Sequence, residues 1–74
     1  MFPKPLKYIK LTLNGLTYIS IMPITILDLL DYLGFNKAVI VIDYNGFILE
    51  KNAWDKTLIK NDDALEILSI AGGG

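Results

Sequence analysis

The 74-residue chain contains no cysteine, no histidine and no arginine. Without cysteine, neither a disulfide nor a thiolate metal site can stabilise the fold. Without histidine, the chain lacks the commonest metal ligand and the commonest general base. The polar side chains that remain are a poor set for a self-contained enzyme. We therefore predict no metal site and no catalytic activity carried by this chain alone.

The charge pattern argues against two classes of partner. The net charge is −1 and the seven lysines are scattered, whereas nucleic-acid binders carry a clustered basic face. The longest apolar stretches, such as residues 38–42, are far shorter than the ~20 residues that span a bilayer. Residues 1–5 show no feature of a signal or transit peptide. We expect no nucleic-acid partner, no membrane insertion and action in the compartment of synthesis.

The missing arginine bears on the source of the gene. Beside abundant Lys, Ile, Asn and Tyr, it indicates an AT-rich coding sequence, as in a plastid genome or an AT-rich bacterium. Chance in a short chain is the alternative explanation. The expected location is therefore the cytoplasm, or the plastid stroma if the gene is plastid-encoded.

The first third of the chain predicts a β-hairpin. Apolar and polar residues alternate over residues 9–13, the period-two pattern of a half-buried strand. Asn14-Gly15 follows, and this dipeptide is typical of a type I′ turn, which needs positive φ at both central positions. Residues 16–21 are rich in β-branched and aromatic side chains, which predicts the returning strand.

Residues 25–33 predict a helix. Thr25 is a good N-cap, and Asp28 is placed to complete a variant capping box. Gly34 is the residue expected to end the helix in the left-handed conformation. Apolar residues fall at i, i+3, i+4 and i+7 and so form one helix face: Ile26, Leu29, Leu30 and Leu33.

The second half repeats the hairpin pattern. Residues 38–42 are apolar without alternation, which predicts a central strand buried on both faces. Asn45-Gly46 predicts a second tight turn, followed by a short strand over residues 47–49. Trp54 is expected to anchor the less regular residues 51–59 to the core.

A last strand over residues 65–70 follows a predicted turn at residues 61–63. Two antiparallel hairpins flanking one helix form an α+β roll with the helix across one sheet face. If the last strand pairs beside the first, the C-terminus protrudes from one end. We therefore predict the ubiquitin-like β-grasp, with a mixed sheet of four or five strands, a single domain over residues 1–71 and a flexible glycine tail over residues 72–74.

The chain ends in Gly72-Gly73-Gly74. Glycine loses much backbone entropy in a strand and packs nothing, so these residues extend a sheet poorly. A frayed terminus is the alternative explanation. Because the glycines follow elements in the order of a β-grasp fold, we favour a functional tail. Such a tail can enter a narrow channel and bring the Gly74 carboxylate to a reactive centre. There it would attack the α-phosphate of ATP, giving an acyl-adenylate that a sulfur nucleophile opens.

Six features in order carry a resemblance: residues 13–15, 25–33 and 41–49, Trp54, residues 64–71 and the terminal glycines. Together they resemble the ThiS family, the sulfur carriers of thiamin thiazole synthesis, over nearly all of the chain beyond the first six residues. Two departures occur. Glu50-Lys51 stands where the family often has Pro-Arg, and Asn61-Asp62-Asp63 stands where it usually has Asp-Gly-Asp. Both sites are predicted turns or surface positions, so they bear on partners more than on the fold.

The resemblance implies a cycle with several partners. An E1-like adenylating enzyme of the ThiF type would use ATP and magnesium to adenylate the Gly74 carboxylate. A sulfur donor, ultimately cysteine through a desulfurase persulfide, would convert the adenylate to a thiocarboxylate. Thiazole synthase of the ThiG type would then take the sulfur into the thiazole ring. ATP belongs to the activating enzyme, so we expect a monomeric carrier with no stably bound cofactor. The missing cysteine fits, since sulfur cannot travel on this chain as a persulfide.

Three other functions stay open at this point. The small subunit of molybdopterin synthase shares the chemistry, but its members typically have proline just before the glycines, where this chain has Ser69-Ile70-Ala71. A ubiquitin-like modifier of target lysines is a second alternative. A non-carrier β-grasp binding module with an accidental glycine tail is a third, and removal of Gly74 separates it from the rest.

The last strand predicts a partner surface. If Leu65 and Ile67 face the core, alternation places the intervening side chains on the opposite face, where two large aliphatics would form an exposed apolar patch. Coverage of this patch by residues 2–6 is the alternative. The predicted partner-binding residues are Glu66, Leu68, Ile70 and Gly72, and the predicted attachment residues are Gly73 and Gly74.

Two pairs of aspartates could indicate a cation site, but local structure explains both pairs better. We interpret Asp62-Asp63 as turn residues and Asp28 with Asp31 as part of a solvated helix face.

Overall fold

The computed structural model describes residues 7–70. The predicted boundary between a domain ending at residue 71 and a tail over residues 72–74 lies outside them. The strands and the helix of residues 7–70 are β1 Ile9–Leu13, β2 Leu16–Ser20, α1 Ile26–Leu33, β3 Ile40–Tyr44, β4 Phe47–Leu49 and β5 Asp63–Ser69. Short 3-10 helices, Lys37–Val39 and Lys51–Ala53, precede β3 and follow β4.

The five strands form one mixed sheet in the order β2-β1-β5-β3-β4. The central strand is β5, which runs parallel to β1 and antiparallel to β3. Two antiparallel hairpins, β1–β2 and β3–β4, complete the sheet on either side. The predicted pairing of the last strand beside the first is confirmed, and with it the β-grasp fold.

Both hairpins turn on Asn-Gly as predicted. Asn14 and Asn45 each have φ of 51°, and the glycines that follow have φ of 81° and 94°. Two consecutive positive φ values define the type I′ class, whose twist matches that of the flanking strands. The sequence therefore specifies both turns locally.

The helix also begins and ends where its sequence predicts. The Thr25 hydroxyl accepts from the Asp28 N–H at 3.0 Å, and the Asp28 carboxylate accepts from the Thr25 N–H at 3.0 Å. This capping box satisfies two N–H groups that otherwise lack partners at a helix start. Gly34 ends the helix with φ of 79°. Thr25 is the cap, so the first helical residue is Ile26.

The core lies between α1 and one face of the sheet. The apolar face of α1 packs against buried side chains of all three inner strands, and the buried set is Leu11, Leu13, Ile26, Leu29, Leu30, Ile40, Ile42, Trp54, Ile59 and Leu65. Trp54 is 3% exposed, and its indole N–H donates to the Leu49 carbonyl at 3.1 Å. Its predicted role as the anchor of residues 51–59 is confirmed.

The prediction for residues 38–42 was wrong in two respects. The strand begins at Ile40, because the Asn36 side chain accepts from the Ala38 N–H at 3.1 Å and caps the 3-10 helix before it. The strand is also neither central nor buried on both faces. Ile40 and Ile42 are buried, whereas Val41 is half-buried. An uninterrupted apolar run therefore did not mean two covered faces here.

No helix within residues 7–70 combines the length and apolar character that a membrane crossing requires. The longest there is α1, with eight residues.

Candidate functional site at the end of β5

The central strand changes character along its length. Asp63 is 6% exposed and Leu65 is buried, whereas Leu68 is 45% exposed and Ile70, just beyond the strand, is 55% exposed. The parallel ladder with β1 ends at the Leu13–Leu65 pair, while pairing with β3 continues to Ser69. We call residues 63–65 the β5 start and residues 66–70 the exit segment. The exit segment delivers the chain to the terminal glycines.

Asn14 holds the exit segment where β1 stops. Its backbone N–H donates to the Leu65 carbonyl at 2.9 Å, and its side-chain carbonyl accepts from the Ile67 N–H at 2.7 Å. The side chain thus supplies one more ladder contact after the strand has turned away. On the other side, the Ile70 N–H donates to the Val39 carbonyl at 2.7 Å. The backbone of the exit segment is therefore anchored, while its side chains other than that of Ile67 stay exposed.

The predicted alternation along β5 is confirmed. Leu65 is buried and Ile67 is half-buried against the core, while Glu66, Leu68 and Ile70 are exposed. Outward-facing residues of neighbouring strands enlarge this surface. Val41 lies directly opposite Leu68 in the β3–β5 register. The result is an aliphatic patch beside the point where the tail begins.

Two carboxylates border that patch. Asp43 lies directly opposite Glu66 in the β3–β5 register. Like charges placed opposite each other in a sheet destabilise it. Asp43 also accepts from the Gly46 N–H at 2.8 Å, so it contributes to the β3–β4 turn. The outer face of the sheet thus combines exposed aliphatic groups with negative charge.

Asp63 is the residue that sequence reasoning placed wrongly. It was interpreted as a turn or surface residue, but it is buried and begins β5. Its carboxylate accepts from the Tyr44 hydroxyl at 2.6 Å, the Asn45 side-chain amide at 3.0 Å and the Lys60 backbone N–H at 2.7 Å. A buried charge needs such partners. Two of the donors lie 19 and 18 positions earlier, so no local signal could have identified them.

These contacts change the pKa values of Asp63 and Tyr44. Burial alone raises the pKa of Asp63, but the hydrogen bonds from Lys60, Tyr44 and Asn45 and the positive charge of Lys60 outweigh it, and the pKa lies below its ordinary value. Burial and the contact with the Asp63 carboxylate raise the pKa of the Tyr44 hydroxyl. The carboxylate is therefore held ionised as a structural acceptor.

Three other aspartates, all exposed, contribute to the surrounding structure. Asp28 belongs to the capping box, Asp31 pairs with Lys37, and Asp62 pairs with Lys10 at 3.8 Å. Asp62 also adopts φ of 70° in the turn before β5. Within residues 7–70, no three His, Cys, Asp or Glu side chains cluster as metal ligands would.

The predicted attachment residues Gly73 and Gly74, and the predicted partner-binding residue Gly72, lie outside the described residues. Of the predicted site, the structure brings together Glu66, Leu68 and Ile70, which lie on one face of the sheet at its exit segment. Val41, Asp43 and Asn14 were not predicted as part of it. They join through strand register and a side-chain contact.

Fold and site together define a small ubiquitin-like β-grasp protein whose last strand leads into a glycine terminus. Residues 11–74 match the sequence model of the ThiS family, and the chain belongs to that family.

Solved structures and relatives agree with this assignment. The crystal structure of the thiamine biosynthesis protein ThiS from Geobacter metallireducens superposes with a TM-score of 0.76 at 33% identity, covering 89% of this chain and all of that one. A solution structure of a thiamine biosynthesis protein from the same organism gives 0.71 at 35% identity, covering 89% and 88%. The ycf40 protein of Trieres chinensis is 44% identical over 84% of this chain and 85% of its own length. That of Porphyra purpurea is 35% identical over 92% and 96%.

Proposed function

We propose that this chain is a sulfur carrier of thiamin biosynthesis that carries sulfur as a thiocarboxylate on Gly74. One observation supports this above the others: the match to the ThiS family runs through the terminal glycines, to residue 74. It does so on a fold whose central strand ends in an exposed, anchored exit segment. The crystal and solution structures from Geobacter metallireducens, both described as those of a thiamine biosynthesis protein, support the same pathway.

The chemistry needs only the carboxylate and a route to it. The Gly74 carboxylate oxygen attacks the α-phosphate of ATP and pyrophosphate leaves, forming an acyl-adenylate on the activating enzyme. The outer sulfur of a persulfide then attacks the acyl carbon and AMP leaves, which gives an acyl disulfide. A thiol next attacks the inner sulfur of that disulfide, so that the S–S bond breaks, a new disulfide forms on the donor and the Gly74 thiocarboxylate is released. Glycines at residues 72–74 carry no side chain to obstruct a narrow channel. ATP and magnesium are handled by the adenylating enzyme, so this chain acts as its co-substrate.

Thiazole synthase is the acceptor that we propose for the sulfur. The ThiS-family match and the absence of proline in Ser69-Ile70-Ala71 favour it over the molybdopterin synthase complex. The names of the relatives support a location. The ycf40 designation belongs to plastid-genome genes of algae, so we propose that the protein works in the plastid stroma.

The outer face of the exit segment is the surface that we propose for the activating enzyme. Leu68 and Val41 form its aliphatic centre, and Glu66 with Asp43 supplies negative charge at its border. Interface cores are apolar with a polar rim. A partner that docks on this surface lies next to the start of the tail.

The decisive experiment is an intact mass measurement after incubation with ATP, magnesium, a ThiF-type adenylating enzyme and a persulfide donor. We expect a mass increase that corresponds to replacement of one oxygen atom by sulfur. Deletion of Gly74 should abolish the increase, while circular dichroism shows an unchanged fold. An unmodified wild-type mass with an enzyme that loads its own carrier would refute the proposal.

The acceptor is tested in a second step. Thiocarboxylated protein is supplied in parallel to thiazole synthase with its substrates and to the large subunit of molybdopterin synthase with its precursor. We expect sulfur loss, seen as return of the original mass, only with thiazole synthase. Sulfur loss only to the molybdopterin enzyme would overturn the acceptor assignment while leaving carriage intact.

A further inference from the structure

The exit segment begins where the pairing with β1 ends. At Leu65, β5 pairs with Leu13 of β1 on one side and with Tyr44 of β3 on the other. Beyond Leu65 the ladder with β1 stops, while the ladder with β3 continues to Ser69. Strand ends that are held by fewer hydrogen bonds open more readily. The direction of the exit segment is therefore fixed only if something replaces β1 on that side.

Asn14 provides this replacement. Its backbone N–H donates to the Leu65 carbonyl at 2.9 Å, and its side-chain carbonyl accepts from the Ile67 N–H at 2.7 Å. Asn14 belongs to the tight β1–β2 turn, where its φ is 51°, so the turn fixes its position relative to β1. The side-chain contact therefore ties the exit segment to the first hairpin after the ladder has ended.

The exit segment is also held on the side of β3, close to the tail. The Ile70 N–H donates to the Val39 carbonyl at 2.7 Å. Gly74 follows Ile70 by four residues, a separation that no conformation stretches beyond about 14 Å. Covalent geometry thus keeps the terminal carboxylate within a short distance of a point that the fold holds. A change in the direction of the exit segment would be passed on to that carboxylate.

The second Asn-Gly turn supplies a comparison within the same molecule. Asn45 also has φ of 51°, and its side chain also bonds to β5. It acts at the β5 start, however, where it accepts from the Ala64 N–H at 2.7 Å and donates to the Asp63 carboxylate at 3.0 Å. The same residue type in the same kind of turn therefore acts at opposite ends of β5, and Asn14 acts at the end that leads to the glycines.

The Asn14 contact is separate from the surface that we propose for docking. Asn14 binds the backbone of Ile67, whose side chain is half-buried against the core, while Glu66 and Leu68 are exposed on the opposite face. Coverage of Leu68 by residues 2–6, the alternative raised from the sequence, involves residues outside those described. Loss of the Asn14 contact would therefore keep the docking side chains and loosen the backbone that leads to the tail.

We propose that Asn14 is a positioning residue for the loading of Gly74: by holding the Ile67 N–H, it fixes the direction in which the exit segment delivers the tail to the activating enzyme. This inference rests on the proposed function. Asn14 acts through Ile67 and not on the reacting atoms. Positioning of this kind raises the reaction rate of the docked complex, because a reactant held in the correct geometry reacts faster.

The test is single-turnover adenylation, with a ThiF-type enzyme in excess over the carrier and with saturating ATP and magnesium. Pyrophosphate release over a series of enzyme concentrations separates the rate of the docked complex from the concentration that half-saturates it. Asn14→Gly keeps positive φ accessible. We expect this variant to lower the saturating rate about three- to tenfold, the range that one hydrogen bond supports. The half-saturating concentration should stay nearly unchanged, because the docking side chains are intact.

Two further variants separate positioning from stability, and all are compared where circular dichroism shows them folded. Asn14→Asp keeps a side-chain acceptor for the Ile67 N–H and tolerates positive φ, so it should retain the wild-type rate. Asn45→Gly is the same substitution in the other turn and removes two contacts at the β5 start. It should lower the free energy of unfolding more than Asn14→Gly does, yet leave the saturating rate unchanged. A merely structural role for Asn14 predicts instead that the rate follows stability.

Three results would overturn the inference. They are an unchanged saturating rate in Asn14→Gly, an equal fall of that rate in Asn45→Gly, and a change confined to the half-saturating concentration, since Asn14 would then contribute to docking. Failure of the wild-type protein to be adenylated by an enzyme that loads its own carrier is a different outcome. It would overturn the proposed function itself, and this inference with it.

Discussion

The two ends of β5 belong to one strand but have different tasks. At the β5 start, Asp63 and Leu65 are buried, and Asp63 accepts three hydrogen bonds. The exit segment has a fixed backbone, and its side chains other than that of Ile67 are exposed. The difference shows how one strand can join the halves of a small domain and still present a surface to partners. Burial stabilises the first end, and exposure leaves the second end available.

The two Asn-Gly turns reproduce this contrast. Asn14 and Asn45 have the same φ and both bind β5 through their side chains. Asn45, however, acts at the β5 start, where it accepts from the Ala64 N–H at 2.7 Å and donates to Asp63. Asn14 acts at the exit segment through a single side-chain contact. Turn chemistry and strand anchoring therefore depend on the same two residues.

The largest effect on stability is expected from Asp63→Ala. The change leaves the part-buried hydrogen-bond donors of Tyr44, Asn45 and Lys60 without their acceptor, and such loss costs about 1–3 kcal/mol of the free energy of unfolding. Urea denaturation followed by the fluorescence of Trp54 measures it. Asp62→Asn is the matched control, because Asp62 is exposed and asparagine tolerates its positive φ. Equal stabilities of the two variants would show that the buried network is energetically neutral.

At the exit segment, the expected effect is on function instead. Leu68→Glu should lower kcat/KM for adenylation about tenfold, since truncating or charging an interface anchor costs at least ~1 kcal/mol. The free energy of unfolding should change by less than about 0.5 kcal/mol, because Leu68 is exposed. Ile19→Glu, on the same sheet face but two strands away, serves as the control. Undiminished adenylation by Leu68→Glu would remove this surface from the proposed interface.

Acid titration separates the two ends further. The pKa of Asp63 is lowered in the folded protein, so its contribution to stability is complete above its ordinary value of about 3.9 and is lost as the pH falls through the folded value. The stability difference between the wild-type protein and Asp63→Asn should therefore narrow between about pH 6 and about pH 2. Parallel stability curves over this range would mean that Asp63 is not held ionised by the fold.

A smaller loss of stability than that of Asp63→Ala is expected from Asn14→Gly, which keeps positive φ accessible and removes only the contact to the Ile67 N–H. A single lost hydrogen bond costs about 0.5–1.5 kcal/mol. Hydrogen exchange should accelerate at the Ile67 amide and remain unchanged at the β5 start. Asn45→Gly should destabilise more, because it removes two side-chain contacts at the β5 start. The reverse order would contradict the assignment of the two turns.

Elements with local causes were predicted well from the sequence. The capping box of Thr25 with Asp28, the end of α1 at Gly34 and both Asn-Gly turns depend on residues within a few positions of one another. The exposure of Leu68 and Ile70 followed from strand alternation alone. Such features can be predicted without knowledge of the tertiary fold.

Features with distant causes were missed. The start of β3 at Ile40 is an exception that was missed although its cause is local, because the Asn36 side chain caps the 3-10 helix immediately before the strand. The burial of Asp63 depends on Tyr44 and Asn45, which the β3–β5 pairing brings alongside it. Neither the doublet Asp62-Asp63 nor its neighbours distinguish a buried acceptor from a solvated turn residue.

By itself, the sequence determined the turns, the helix with its caps and the alternation of β5. It also supplied the terminal glycines and, because it has no cysteine, made the terminal carboxylate the candidate group for carrying sulfur. Each follows from period, local hydrogen bonding or the presence of a residue type. Only the tertiary structure decided that Asp63 is buried, that Val41 and Asp43 join the surface of the exit segment, and that Asn14 anchors Ile67. The physical reason is that these contacts join residues 18 to 53 positions apart, and sheet register alone brings them together.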